Sequence, residues 1–259
     1  MPIGATECRV LVDGVETVPS HVRTTDARTT PIGRAEITFE REGDVALQDG
    51  APLEVWLGDG LTAAQRVFKG RIRGVLEGDR VGVLALDGMR DLRDVLLLQA
   101  FRNVDVHQVF QWAFERAGVT AYTLGSAKTR RSHHFICRNE PLLALFERAR
   151  ATWGLASWDF YADADGEIWF LPWAEAPGAL ADPVAELVSG ENLLDVQPRT
   201  IDLGTAETFV LPAIHHSDLV ILEDTETWGR RATVRVERVS HEWTKDRART
   251  RVEWAIPAT

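Results

Sequence analysis

The sequence is poor in cysteine and has no long apolar run, and each shortage excludes a class of protein. Its only two cysteines, Cys8 and Cys137, lie far apart, which excludes a disulfide framework and a zinc site built on paired cysteines. We expect two separate buried thiols. The longest uncharged apolar runs, such as Val95–Phe101, fall far short of the roughly 20 residues that a membrane-spanning helix needs. The first ten residues lack the basic and apolar regions of a signal peptide. We therefore expect a protein that is made in a cytoplasm and does not insert into a membrane by itself.

Basic residues are also scarce, and only three of them are lysines. The chain carries 29 Lys and Arg against 39 Asp and Glu, which gives a net charge of −10. A broad nucleic-acid-binding face needs a positive surface that recruits phosphates, so this charge argues against such a face. An acidic wall would instead repel phosphate and let DNA slide past without binding.

A strand-turn-strand pattern occurs twice in the chain, once towards each end. The first copy comprises segments 53–59, 67–75 and 80–88, and the second comprises 218–224, 232–240 and 249–256. Val55 precedes Ile72 by 17 residues, and Ile221 precedes Val236 by 15. Such internal similarity indicates a duplicated unit, and alternating apolar and polar residues are typical of strands with one buried face. We therefore predict two like β-barrels.

Other segments outside the middle of the chain show the same alternation. Cys8–Val18 alternates around Asp13-Gly14, which is a favoured hairpin turn. Arg34–Arg41 alternates after a turn predicted at residues 31–33. From residue 187 onward the chain is again rich in short alternating segments.

The middle of the chain shows helical periodicity instead. Apolar residues at positions 106, 109, 110, 113, 114 and 117 form one stripe, with Asp105 placed to cap its start and Gly118 its end. A second helix is predicted over Pro141–Trp153, and a hairpin over 157–173 turns at Asp165-Gly166. We predict an α+β, mostly β protein. Its parts are a first tube-type β-barrel over 1–97, a small α+β domain of two helices and a hairpin over 98–175, and a second tube-type β-barrel over 176–259.

The order of these parts resembles a known family. DGAPLEVWLG, RVFKGRIRGV and VGVLALDGMRDL resemble its first barrel, and NVDVHQVFQWAFERAGV resembles its first helix. NEPLLALFERARATWGLASWDFYADADGEIWF resembles its second helix and hairpin, while SDLVILED and RVERVSHEWTKDRARTRVEW resemble its last barrel. Through these motifs the chain is similar to the baseplate or tail hub proteins of tailed viruses and contractile injection systems, the late control protein D-like hubs.

The resemblance implies a structural virion protein that forms a homotrimer at the tail tip or baseplate. Six barrels would form a pseudo-sixfold ring that joins the hexameric tail tube to a trimeric spike or fibre. DNA would pass through the lumen without specific binding. The implied partners are a tail tube or distal tail protein, a spike or fibre tip protein, and a tape measure protein.

Four carboxylates lie within nine residues in the predicted hairpin. They are Asp159, Asp163, Asp165 and Glu167. A calcium loop would need later ligands that the sequence lacks. A glycosidase needs a carboxylate pair, which a chain with this many acidic residues always offers. We favour a polar hairpin tip.

The histidines offer little more to a metal or an acid-base reaction. His133-His134 and His215-His216 are adjacent pairs, and neighbours on a strand point to opposite faces. His241 is expected to be a hydrogen-bonded structural histidine. The sequence has no nucleophile elbow, glycine-rich phosphate loop or HExxH. We therefore expect no enzyme activity, no cofactor, and no catalytic, cofactor-binding or metal-binding residues.

Four of the nine tryptophans cluster in the middle of the chain, at Trp153, Trp158, Trp169 and Trp173. We expect a packed core in which Trp158 and Trp169 pair across the hairpin. The alternative is an aromatic carbohydrate platform, which would make the chain a carbohydrate-binding or adhesin module of a tail tip. A tail-associated cell-wall hydrolase is a further alternative function.

Overall fold

The fold is that of a computed structural model, which describes residues 6–28, 30–40, 47–60, 62–76, 78–126 and 128–257. The described chain is mostly β, as the sequence predicted. Its buried apolar side chains form three clusters, one in the N-terminal strands, one in the middle of the chain and one in the C-terminal strands. None of the helices in these ranges is long and apolar enough to cross a membrane.

Seven strands form the N-terminal part of the fold. They are β1 (Glu7–Val12), β2 (Val15–Thr17), β3 (Pro19–Ala27), β4 (Thr30–Glu40), β5 (Pro52–Gly58), β6 (Gln65–Leu76) and β7 (Arg80–Leu86). They pair in the order β3-β4-β7-β6-β5-β1-β2. Val18 alone separates β2 from β3, so one continuous segment pairs with β1 at its start and with β4 further on. The path of strands therefore closes as a barrel.

The predicted hairpin between β1 and β2 is confirmed. Val12 faces Val15 across the turn, and Asp13 and Gly14 have φ angles of 50° and 78°. A two-residue turn with both central φ angles positive matches the twist of the flanking strands. The turn predicted at residues 31–33 is wrong, because this segment lies inside β4.

The middle of the chain combines helices with two small sheets. Its elements are α1 (Met89–Leu92), β8 (Leu96–Val104), α2 (Val106–Ala117), β9 (Tyr122–Leu124), β10 (Ser132–Pro141), α3 (Leu142–Trp153), β11 (Trp158–Ala162) and β12 (Ile168–Pro172). The α2 and α3 helices and the β11–β12 hairpin confirm the predicted elements. The structure adds an antiparallel β8–β10 ribbon and places β9 parallel to β12, so two helices and a hairpin are an incomplete description.

The caps of the two longer helices follow from single residues. Asp105 accepts the backbone N–H of Gln108, whose side chain in turn accepts the N–H of Asp105. This reciprocal pair is a capping box. Gly118 and Gly154 end the helices with φ angles of 72° and 69°, where glycine carries no steric penalty. Pro141 lies just before α3 instead of in its first turn.

The C-terminal part of the fold repeats most of the pairing of the N-terminal part, but the last strand in its order pairs parallel with its neighbour where the N-terminal β1 and β5 are antiparallel. After a 3₁₀ turn (Trp173–Glu175) and α4 (Pro177–Leu180) come β13 (Ala185–Val188), β14 (Leu193–Thr200), β15 (Leu203–Phe209), β16 (Leu219–Asp224), β17 (Arg230–Thr244) and β18 (Ala248–Ala255). They pair in the order β14-β15-β18-β17-β16-β13. A bridge between Ser189 and Leu193 joins the two ends of this order, so these strands also close as a barrel. The meander β16-β17-β18 matches β5-β6-β7, and β15 flanks β18 as β4 flanks β7. The predicted duplication is therefore present in the strand topology.

A single long strand joins the two strand systems. The first part of β17, Arg230–Arg235, pairs with β16, while its second part, Arg238–Thr244, pairs antiparallel with His21–Ala27 of β3. We call this second pairing the internal seam. Through it, the strands of both barrels form one continuous sheet of 13 strands.

Candidate functional site

The internal seam is held by side chains as well as by the backbone. The Thr25 and Ser240 hydroxyls lie 3.2 Å apart, and Ser240 donates to the Thr24 carbonyl at 2.8 Å. At one end of the seam, His21 Nε2 lies 3.3 Å from a Glu242 carboxylate oxygen. These contacts fix the position of one barrel against the other.

The face of the shared sheet that points away from the barrel cores carries charges of both signs. A groove of about 430 Å³ crosses the internal seam and is lined by Arg23, Arg34, Arg238 and Arg251 together with Asp26 and Glu253. Arg34 lies 3.6 Å from Glu36, and Arg238 lies 3.1 Å from Glu253. The acidic excess of the whole chain is therefore absent from this groove.

A buried charge network attaches the middle of the chain to the internal seam. The guanidinium of Arg28 lies 2.8 Å from Asp159 of the β11–β12 hairpin and 2.8 Å from Glu237 of β17. Burial raises the pKa of Asp159, while the charge of Arg28 opposes this shift. One cation thus links three segments that are distant in sequence.

A histidine lies beside this network with little exposure to solvent. His216 Nε2 is 3.3 Å from an Asp26 oxygen, and its Nδ1 is 3.0 Å from the Ser217 hydroxyl. The imidazole also meets the Tyr161 ring edge-on at a centroid distance of 4.4 Å. Burial raises the pKa of the Tyr161 hydroxyl, so this group stays neutral at physiological pH.

Two further buried titratable groups stabilise the strand systems. Asp87 accepts the backbone N–H of Gly33 at 2.6 Å and of Met89 at 3.0 Å, and burial raises its pKa to about 8. Burial lowers the pKa of His241 to about 3, and its Nδ1 lies 2.9 Å from the Thr250 hydroxyl. His241 is therefore a neutral histidine inside the barrel.

The acidic cluster predicted as a polar hairpin tip separates into two environments. Asp163 accepts the N–H groups of Asp165 and Glu167, both at 2.9 Å, and Gly166 has a φ angle of 82°. Those three carboxylates belong to the turn. Asp159 does not, because it lies inside β11 and is only 8% exposed. Placing Asp159 at the hairpin tip was therefore wrong.

The structure does not bring the histidine pairs or the carboxylates into a metal site. His133 and His134 lie exposed on β10, whereas His215 and His216 precede β16. Over the ranges that the structure describes, no group of three or more His, Cys, Asp or Glu residues is arranged to hold a metal ion. Cys8 and Cys137 are both free thiols, and Cys8 is only half-buried.

The four tryptophans do not form one exposed platform. Trp153 and Trp158 are 7% and 4% exposed, inside the apolar cluster of the middle of the chain. Trp169 stacks on Tyr161 at 6.5 Å, and Arg235 lies over the Trp173 ring at 4.7 Å. The predicted pairing of Trp158 with Trp169 is wrong, because Trp158 faces Pro172 and Trp169 faces Tyr161.

Sequence reasoning missed the Arg28 network. Arg28 and Asp159 are 131 residues apart, and Asp159 was grouped with the carboxylates of the hairpin tip. The one available signal was a carboxylate at the centre of an otherwise apolar strand, WDFYA. A charge in such a position indicates a buried partner.

Comparisons with known proteins identify the fold. No protein-family model and no curated protein matches the sequence. Among solved structures, a 43 kDa tail protein of prophage MuSo2 from Shewanella oneidensis aligns over 97% of this chain and 98% of its own, with a TM-score of 0.75 at 10% identity. A tail protein from Neisseria meningitidis aligns over 97% and 96% of the two chains, with a TM-score of 0.72 at 12% identity.

A third similar structure comes from a secretion system. It is an E. coli component of the type VI secretion system, described as structurally similar to the bacteriophage T4 tail proteins gp27 and gp5. It aligns over 96% of this chain and 77% of its own, with a TM-score of 0.68 at 12% identity. The resemblance predicted from the motifs is therefore confirmed at the level of the fold: the chain has the fold of phage tail proteins and related components of contractile injection systems.

Proposed function

We propose that this chain is a structural subunit of a viral tail tip or baseplate, in which three copies form a hub ring. The observation that carries the proposal is the pair of like barrels joined through one continuous sheet. Two barrels in each of three copies supply six similar units. The shared fold of tail and secretion-system proteins supports the same assignment.

Such a ring solves a problem of symmetry. A sixfold tube and a threefold spike or fibre cannot meet through equivalent contacts. A trimer of duplicated barrels is approximately sixfold in shape and threefold in identity. The internal differences between the barrels, such as Gly70 in β6 where β17 has Val234, are compatible with threefold identity.

The proposed partners follow from this position. One face of the ring would stack on a tail tube or distal tail protein, and the other would accept a spike or fibre tip protein. A tape measure protein and then DNA would occupy the lumen. If the free face of the shared sheet lines that lumen, DNA meets both arginine and glutamate in the groove at the seam, instead of a uniformly acidic wall.

The alternative functions have less support in the structure. A carbohydrate platform would need exposed aromatic faces, but Trp153 and Trp158 pack inside a core. The half-buried Trp169 and Trp173 are covered by Tyr161 and Arg235. A cell-wall hydrolase would need a pair of carboxylates in a cleft, whereas Asp159 is neutralised by Arg28 and Asp163 is bound to its own turn. We therefore propose a structural role without catalysis.

The position of the chain in an assembled particle tests the proposal. Particles carrying a tagged copy of the chain would be purified from the producing cells and imaged with a gold label on the tag. We expect the label at one end of a tail-like tube. A label along the whole tube, or on a soluble protein without a tube, would contradict the proposed hub. Binding to a glycan array, abolished by Trp169→Ala, would favour the adhesin instead.

A further inference from the structure

We propose that neighbouring copies of this chain join through the free edge of β14 in one copy and the free edge of β6 in the next. The two edges would pair antiparallel, as β3 and β17 do at the internal seam, but over fewer residues, because β6 ends at Leu76 whereas β17 continues to Thr244. The inference rests on the proposed ring, and it names the surfaces that close it.

The strands β6 and β17 share a backbone irregularity at one position. The pairing of β6 with β7 skips a residue after Ile72, and the pairing of β17 with β18 skips a residue after Val236. Ile72 donates to the Ala51 carbonyl at 2.9 Å and accepts from Gly50 at 2.8 Å. Val236 likewise donates to Asp218 at 2.9 Å and accepts from Ser217 at 2.7 Å. Ile72 and Val236 are therefore equivalent.

A backbone conformation supports the same alignment. Gly50 has a φ angle of 82°, and Ser217 has a φ angle of 69°. Positive φ is uncommon for a residue other than glycine, so its recurrence at one position of both barrels indicates a retained local geometry.

Strand pairing extends this equivalence from β6 and β17 to the other strands of each barrel. From Ile72, successive strand partners are Ala85, Ala35 and Thr24. From Val236, the corresponding partners are Trp254, Gly204 and Pro198. Thr24 of β3 is therefore equivalent to Pro198 of β14, and Thr25 to Arg199.

The internal seam up to Ser240 has its counterpart between the equivalent residues of β14 in one copy and β6 in the next. At the seam, Ser240 faces Thr25, and the Arg28 N–H donates to the carbonyl of Glu237 at 2.9 Å. Four residues after Ile72, Leu76 takes the place of Ser240, and Arg199 takes the place of Thr25. In the same way, the Asp202 N–H would donate to the Arg73 carbonyl of the next copy, because Asp202 is equivalent to Arg28 and Arg73 to Glu237.

The edge of β14 and the edge of β6 after Ile72 are both free to pair with another strand. In the described residues, β14 pairs only with β15, apart from one bridge between Leu193 at its start and Ser189, and positions 73–76 of β6 pair with β7 alone. Unpaired strand edges invite a further strand. Exposed apolar side chains lie beside each edge: Leu76 (77% exposed) and Leu84 (40%) on one, and Ile201 (60%) and Leu203 (40%) on the other. Pairing of the two edges would cover these four side chains. Contiguous apolar patches are rare on the free surface of a protein and often mark a contact with a partner.

Engineered cysteines test this contact directly. Leu76→Cys combined with Arg199→Cys places the thiols on the two proposed edges. Thr25→Cys combined with Ser240→Cys is the matched internal control, because those hydroxyls already lie 3.2 Å apart. Leu76→Cys combined with Leu180→Cys is the displaced control, since Leu180 is equally exposed (74%) but lies in α4. Burial raises the pKa of the native Cys137 thiol to about 11 and that of Cys8 to about 12, so both can remain.

The products of mild oxidation are separated by mass under denaturing conditions. We expect covalent dimers and trimers from the Leu76–Arg199 pair, an internally linked monomer from the Thr25–Ser240 pair, and no ladder from the displaced pair or the single variants. A wild-type trimer in solution without any ladder would overturn the seam and leave the proposed ring intact. A chain that stays monomeric at high concentration, without a ladder, would count against both.

Discussion

Arg28 is the residue on which the attachment of the middle unit depends most. Its guanidinium is 18% exposed and lies between Asp159 and Glu237. Burying charges is costly, and removing Arg28 leaves Asp159 uncompensated, whereas Glu237 also lies 2.6 Å from Arg235. The stability of the fold therefore depends more on each buried charge having a partner than on the net energy of the ion pairs.

Replacing Arg28 by alanine should strongly destabilise the chain. We expect a loss of about 3–5 kcal/mol in the free energy of unfolding, because the buried Asp159 carboxylate loses its cation, even though Glu237 keeps its ion pair with Arg235. Arg9→Ala is the matched control, since Arg9 and Glu16 form an exposed pair worth less than about 1 kcal/mol. Urea unfolding of both variants measures the difference. Equal losses would contradict the network described above.

Asp87 should make the stability depend on pH. Burial raises its pKa from 3.8 to about 8, so the folded chain holds a proton that the unfolded chain releases above about pH 4. Stability from this group is present at acidic pH and is lost as the pH rises towards 8. In Asp87→Asn the amide does not titrate, and the fall in stability between pH 5 and pH 8.5 should shrink by at least about 1.4 kcal/mol, which corresponds to one pKa unit. The same fall in both proteins would show that Asp87 is ionised when folded.

Among the strands, the two copies of the repeated unit differ at a position where β6 packs against the backbone of β7. A Cβ on Gly70 would collide with the carbonyl group of Leu86 and lie 2.7 Å from the ring of Phe68. A Cβ on Gly74 would meet only Leu84, at 4.0 Å. The second barrel has a fully buried Val234 in place of Gly70, so neighbouring groups approach this position more closely in the first barrel than in the second.

The two glycines give a matched pair of substitutions. Gly70→Ala should destabilise the N-terminal barrel by about 1–3 kcal/mol through overpacking. Gly74→Ala should change stability by no more than about 0.5 kcal/mol, as is usual for open positions. Thermal unfolding of both variants would reveal the difference. A tolerated Gly70→Ala would contradict the close contact with Leu86.

The elements that the sequence predicted well carry their signals locally. Helix α2 was predicted because Asp105, its apolar stripe and Gly118 all lie within one segment. The β8–β10 ribbon was missed because Leu96 and Leu98 are 56% and 70% exposed, so apolar side chains occupy both faces and no alternation appears. Gly33 was taken for a turn residue, but it allows close approach: a Cβ there would lie 2.9 Å from Asp87.

At the scale of the whole molecule, the sequence revealed the duplication but not the way its copies meet. Pairing of β3 with β17 joins residues more than 200 positions apart, and no periodicity encodes such a contact. The predicted domain boundaries at residues 97 and 175 remain predictions; the first lies inside β8. In the proposed ring, one type of strand contact would serve both within and between copies.

The central claim is that three copies supply six similar barrels to one ring. Its most direct test is the rotational symmetry of end-on views of assembled particles, measured by electron microscopy at the level where the chain is labelled. We predict a ring of six similar densities in which two types alternate, so that strict threefold symmetry accompanies approximate sixfold symmetry. Six identical densities, or a ring with any other number of barrels, would contradict the account.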